Sequence, residues 1–135
     1  MQFHKILVLA SLFAITATVA CKKTETPTTT TDTEAPALTI TAPIAGAMPQ
    51  VADAVAVTGT TSDNDELHEL TLELRKTGTT AVLWTKSPIV HDLKSYSFSE
   101  TIPSGLATGD YTLTATAEDH NDLKTIKTVA FMVMP

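Results

Sequence analysis

Apolar and polar side chains alternate from Ala37 to the C-terminus, and this pattern constrains the chain more than any other feature. A period of two sends successive side chains to opposite faces of a strand, and no stretch carries the 3.6-residue repeat of an amphipathic helix. Leu38-Thr39-Ile40-Thr41 opens the pattern, and Val55, Val57 and Gly59 then alternate with small residues. Leu70, Leu72 and Leu74 alternate with Thr71, Glu73 and Arg75, which gives a half-buried strand with a charged outer face. Val82 and Trp84 follow a turn at Thr77-Gly78. Tyr96, Phe98 and Ile102 form the next row, then Tyr111, Leu113, Ala115 and Ala117, and last Val129, Phe131 and Val133. Such rows build two packed antiparallel sheets, with Leu70, Leu72, Trp84, Phe98, Leu113 and Phe131 expected in the core.

Short strands at about ten-residue spacing predict an immunoglobulin-like antiparallel β-sandwich of about seven strands over residues 37–135. A fibronectin-type or other seven-stranded Greek key satisfies the same periodicity, because connectivity is not written in it. Ala42-Pro43-Ile44-Ala45-Gly46-Ala47, Val55-Ala56-Val57-Thr58-Gly59-Thr60 and Ser62-Asp63-Asn64-Asp65 resemble the opening half of bacterial immunoglobulin-like repeats. The run from Tyr111 to Asn121 resembles their penultimate strand and turn. Together these are similar to small Bacteroidota lipoproteins with an immunoglobulin-like domain of unknown function. The resemblance implies fold and location and supplies no activity.

Ahead of the alternation lie two segments of other character. Residues 1–20 read as a lipoprotein signal peptide, with a short n-region carrying Lys5 and an apolar run from Ile6 to Ala17. That run is too short for a durable membrane span. Thr18-Val19-Ala20-Cys21 resembles the lipobox of bacterial lipoproteins, in which the cysteine thiol is acylated, with Thr18 where the usual pattern has Leu. The alternative is ordinary cleavage that leaves Cys21 as a free thiol. Residues 21–36 then form a tether in which seven of the ten residues from Thr24 to Thr33 are threonine. With nothing apolar to bury, this stretch is expected to be disordered and to reach on the order of 20 Å. Lys22-Lys23-Thr24-Glu25 is similar to the signals that send Bacteroidota lipoproteins to the cell surface. The expected location is the bacterial outer membrane, lipid-anchored, facing the periplasm or the exterior.

Without residues 1–20 the chain keeps all fifteen acidic residues and, having lost Lys5, eight of its nine basic ones, a formal net charge of −7. That balance excludes nucleic acid, whose phosphates need a basic footprint, and also docking on anionic lipid by charge. The expected partners are the membrane, through the lipid on Cys21, and a protein or glycan of unspecified identity. Cys21 is the only cysteine, so no disulfide forms within the chain and the fold must stand on its core.

Three histidines remain: His68, His91 and His120. In an immunoglobulin-like strand order each sits at a strand edge, and all three fall at the end of the sandwich opposite Gly78, with Asp119 beside them. Eight of the fifteen acidic residues collect at the same end. Imidazole and carboxylate suit zinc or copper, so His68, His91, His120 and Asp119 are the candidate ligands of a divalent transition metal. Parity places His68 on the inward face of Leu70 and His120 opposite Ala117, so the turn after Asp119 has to reorient His120. Polar loop ends without a metal are the alternative. Asp63-Asn64-Asp65 and Asp119 to Asp122 carry hard oxygen ligands for calcium, yet neither follows the twelve-residue calcium loop, and both read as solvated acidic loops.

Catalytic signatures are missing from the pattern. No serine sits in a Gly-x-Ser-x-Gly elbow, and Ser95, Ser97 and Ser99 form the polar face of one strand. The expected function is a non-enzymatic, lipid-anchored binding or structural module of the cell envelope, with a metal-binding lipoprotein as the alternative.

Overall fold

Alternating β-branched, leucine and threonine residues form six antiparallel strands in the computed structural model, which describes residues 31–135. The signal segment 1–20, Cys21 and the tether up to residue 30 lie outside the described residues. The strands are β1 (Ala37–Ala42), β2 (Val55–Lys76), β3 (Val82–Lys86), β4 (Leu93–Ile102), β5 (Gly109–Asp119) and β6 (Lys124–Val133).

Strand β2 organises the sandwich because it serves both sheets. Its first half, Val55 to Ser62, lies between β1 and β4. Its second half, Leu67 to Lys76, lies between β3 and β5, and β5 carries β6 on its far side. The ladder is irregular between Ser62 and Leu67, where the chain passes from one sheet to the other. Counted as arms, β1, the first half of β2 and β4 face β3, the second half of β2, β5 and β6. The seven short strands read from the sequence are thus seven arms drawn from six strands.

The two inner faces supply the core. Leu70, Leu72, Leu74, Leu113, Ala115 and Ala117 have no exposed surface and share their side with Phe131, while Leu38, Val57, Phe98 and Ile102 close the opposite side. Five of the six expected core residues are buried. Trp84 is the exception: it packs against the cluster but is only half-buried, because β3 is an edge strand that pairs with β2 alone. Gly59 sits where β1, β2 and β4 run side by side, opposite Ile40 and Phe98. A Cβ there would run into the Thr39 carbonyl oxygen and the Phe98 ring, so only glycine lets that ring lie over the strand. Tyr111 stacks on Phe131 with centroids 5.8 Å apart and donates its hydroxyl to the Ala107 carbonyl at 2.7 Å. This tyrosine corner fixes the entry to β5.

Candidate histidine and carboxylate site

Three separate segments deliver the three histidines to one end of the sandwich. His68 lies in β2, His91 in the turn before β4, and His120 in the turn after β5. The turn at His91 is hung on β2 by the Asp92 N–H, which donates to the Leu67 carbonyl at 3.0 Å. Leu67 in turn pairs with both Leu93 and Asp119, so one residue of β2 ties the two flanking segments together. The ring centroids stand 5.1 Å apart for His68 and His91, 5.0 Å for His68 and His120, and 4.7 Å for His91 and His120. One ring nitrogen from each lies within 4.8 Å of the others, and all three residues are exposed.

Strand parity alone misplaces His68. The ladder with β5 steps from Leu67 opposite Asp119 to Glu69 opposite Glu118, so His68 is an extra residue on the β2 side. A bulge of this kind reverses the facing of what precedes it. Leu67 and Leu70 are both buried while His68 and Glu69 face outward. The bulge in β2, not a reorienting turn after Asp119, brings His68 to the face of His120.

Asp119 does not join the histidines. Its side chain continues the inward row of Tyr111, Leu113, Ala115 and Ala117 and is 1% exposed. The carboxylate that meets the imidazoles is Asp92, one of the acidic residues gathered at this end. Its Oδ1 lies 2.7 Å from His91 Nδ1 and 3.2 Å from His120 Nε2. Asp92 adopts φ 65°, a left-handed conformation that aspartate tolerates better than most residues. Glu66 and Asp92 also place a carboxylate oxygen each within 4.8 Å of a His120 nitrogen. The open end therefore combines three imidazoles with two carboxylates.

The strand order bears on kinship. β1, the first half of β2 and β4 form one sheet, and β3, the second half of β2, β5 and β6 form the other. Among solved structures the chain is similar to a fibronectin(III)-like module of Clostridium thermocellum CbhA, at 17% identity and a TM-score of 0.50, over 72% of this chain and 94% of that one. The fold is an immunoglobulin-like β-sandwich. Within that sandwich the histidines occupy the turns at one end, and the exposed Ser95, Ser97 and Ser99 line the outer face of β4. No protein-family profile and no curated protein matches the chain. At such identity the likeness carries the sandwich fold alone.

Proposed function

We propose that this chain is a lipid-anchored binding module of the bacterial envelope, whose ligand at the histidine end is a divalent transition metal, zinc or copper. The observation that carries the metal reading is the convergence of His68, His91 and His120 from three distant segments, with ring centroids 4.7 to 5.1 Å apart. Zinc–nitrogen bonds of about 2.0–2.1 Å set ligating nitrogens about 3.3 Å apart in a tetrahedral site, within reach of small rotations by exposed side chains whose nitrogens already lie within 4.8 Å of one another. Asp92 bonds to His91 Nδ1, leaving Nε2 of that ring for a metal. Carboxylates that orient ligating imidazoles in this way are the usual outer partners of such sites. Glu66 offers an oxygen ligand beside His120.

The sequence supports anchoring. The apolar run before Cys21 and the lipobox-like Thr18-Val19-Ala20-Cys21 support acylation and outer-membrane residence, facing the periplasm or the exterior. The resemblance to small Bacteroidota lipoproteins points the same way. The remaining sandwich surface serves contacts with a protein or glycan of the envelope, and the module performs no catalysis.

The deciding experiment is a thermal melt of the full-length protein in detergent, stripped with chelator and then given zinc or copper. Ligand binding to the folded state alone raises the melting temperature. His68→Ala should remove the shift. Absence of any zinc- or copper-dependent shift at neutral pH overturns the metal reading and leaves a module that binds other partners. Retention of the protein in the aqueous phase of a detergent partition overturns the anchor.

A further inference from the structure

Behind the histidine end, three carboxylates stand together, each with one unpartnered oxygen. Asp119 uses Oδ1 to accept the Asn121 N–H at 2.7 Å and the Leu123 N–H at 2.9 Å. Asp63 uses Oδ1 to accept the Asp65 N–H at 2.9 Å. Asp32, in the last stretch of the threonine-rich tether, uses Oδ1 to accept the Asn64 amide at 2.9 Å and the Glu34 N–H at 3.1 Å. In each residue one oxygen fixes the carboxylate in place, and the other, Oδ2, is buried with no hydrogen-bond partner. One carboxylate oxygen from each lies within 4.8 Å of the other two.

Three like charges at this spacing repel one another, and shielding from water strengthens the repulsion. Asp119 is 1% exposed, so its free oxygen has no recourse to bulk solvent. Among the described residues, protein cations do not relieve it. Lys94 lies nearby but gives its Nζ to the Asn64 carbonyl at 3.3 Å. Among the described residues none of the three carboxylates takes part in an ion pair. A buried charge is stable when paired or bound to a metal, and no partner charge is present here among the described residues.

We propose that Asp32, Asp63 and Asp119 hold a calcium ion, and that this ion clips the end of the tether onto the sandwich. The donors are all carboxylate oxygens, which suit a hard cation. Oxygens bound to one calcium at about 2.3–2.6 Å stand at most about 5 Å from each other, which accommodates the 4.8 Å limit on this trio. Magnesium gives up its waters reluctantly and is served by fewer protein carboxylates. Zinc would find no nitrogen or sulfur here.

The site is distinct from the histidine cluster although Asp119 and His120 are consecutive, because the two side chains belong to different groups of ligands. Its function is mechanical. The anchor reaches the sandwich through the tether, and seating Asp32 against Asp63 and Asp119 shortens the free length of that tether and sets where the sandwich departs from it. Affinity in the range of extracellular calcium modules, about 10⁻⁴ to 10⁻³ M, makes the clip responsive to calcium outside the cytoplasm.

The test is calorimetric and thermal titration of the full-length protein in detergent, stripped with EGTA, with calcium chloride. Wild type should bind one ion per chain and melt at higher temperature as calcium rises, and amide exchange at residues 31–36 should slow. Asp32→Asn removes one charged ligand from an intermediate-exposure position outside the sandwich core, and should weaken binding by about tenfold or more and abolish the slowing. His68→Ala should leave the calcium response intact while abolishing the response to zinc, so the two sites fail separately. Asp119→Asn carries a risk of unfolding and is the secondary variant. No calcium-dependent shift up to about 10 mM, or an Asp32→Asn protein that binds calcium like the wild type, overturns the proposal.

Discussion

Asp119 and His120 are consecutive residues whose side chains leave the end of β5 for opposite environments. Asp119 ends the buried row of β5 and anchors the turn through Asn121 and Leu123, whereas His120 stands outside it with His68 and His91. Replacing Asp119 by alanine should therefore cost about 2–6 kcal/mol, since it leaves two backbone donors unsatisfied at about 1–3 each. His120→Ala should change stability by no more than about 0.5 kcal/mol. Urea unfolding of the two variants side by side measures the contrast, and equal losses would contradict it.

Gly59 should tolerate no side chain. Gly59→Ala would press against the Thr39 carbonyl and the Phe98 ring and should cost about 2–3 kcal/mol by overpacking. Combining it with Phe98→Ala should give less than the sum of the single losses, because part of the clash disappears with the ring. A fully additive double mutant would show that the ring is not what excludes the side chain.

Tyr111 makes two separable contributions. Tyr111→Phe keeps the stacking on Phe131 and loses only the hydrogen bond to Ala107, for about 1 kcal/mol. Tyr111→Ala removes both and opens a cavity, for about 3–5 kcal/mol. Chemical denaturation of the pair gives the partition directly.

The Glu118–Lys124 pair, at 3.0 Å, closes the turn between β5 and β6. The hydrogen bond that Lys124 donates to Glu118 raises its ammonium above the ordinary value of 10.5, with the charge of Glu118 adding to it. A raised lysine contributes its stabilisation fully below the unfolded value and loses it as pH climbs through the folded one. Proton titration of the lysine side chains by NMR should thus find Lys124 above the ordinary lysine value. Glu118→Gln should bring it down, and an unchanged midpoint in that variant would remove the pair as the cause.

Much of the site was legible because topology at the level of ends is simple. Antiparallel strands of similar length return to the same edge, so His68, His91 and His120 could be assigned to one end from strand order alone. Which way each side chain points was not legible for His68, because one unpaired residue in β2 reverses its facing and leaves no mark in the alternation. Asp92 went unnoticed as a histidine partner because its role depends on a left-handed backbone at a turn. The inward place of Asp119 was readable: it keeps the parity of Ala115 and Ala117, and a carboxylate on a core row needs a partner. Asp32 carried no such signal, since a lone acid in a threonine run looks like any solvated residue.

The sequence by itself determined the all-β class, the rows of the core and the end at which the histidines gather, because side-chain alternation is a local property that each strand carries alone. The tertiary structure decided how β2 divides between two sheets, where its bulge falls, and that Asp32 meets Asp63 and Asp119. Those outcomes depend on register between distant segments, and a shift of one residue in register exchanges the two faces of a strand.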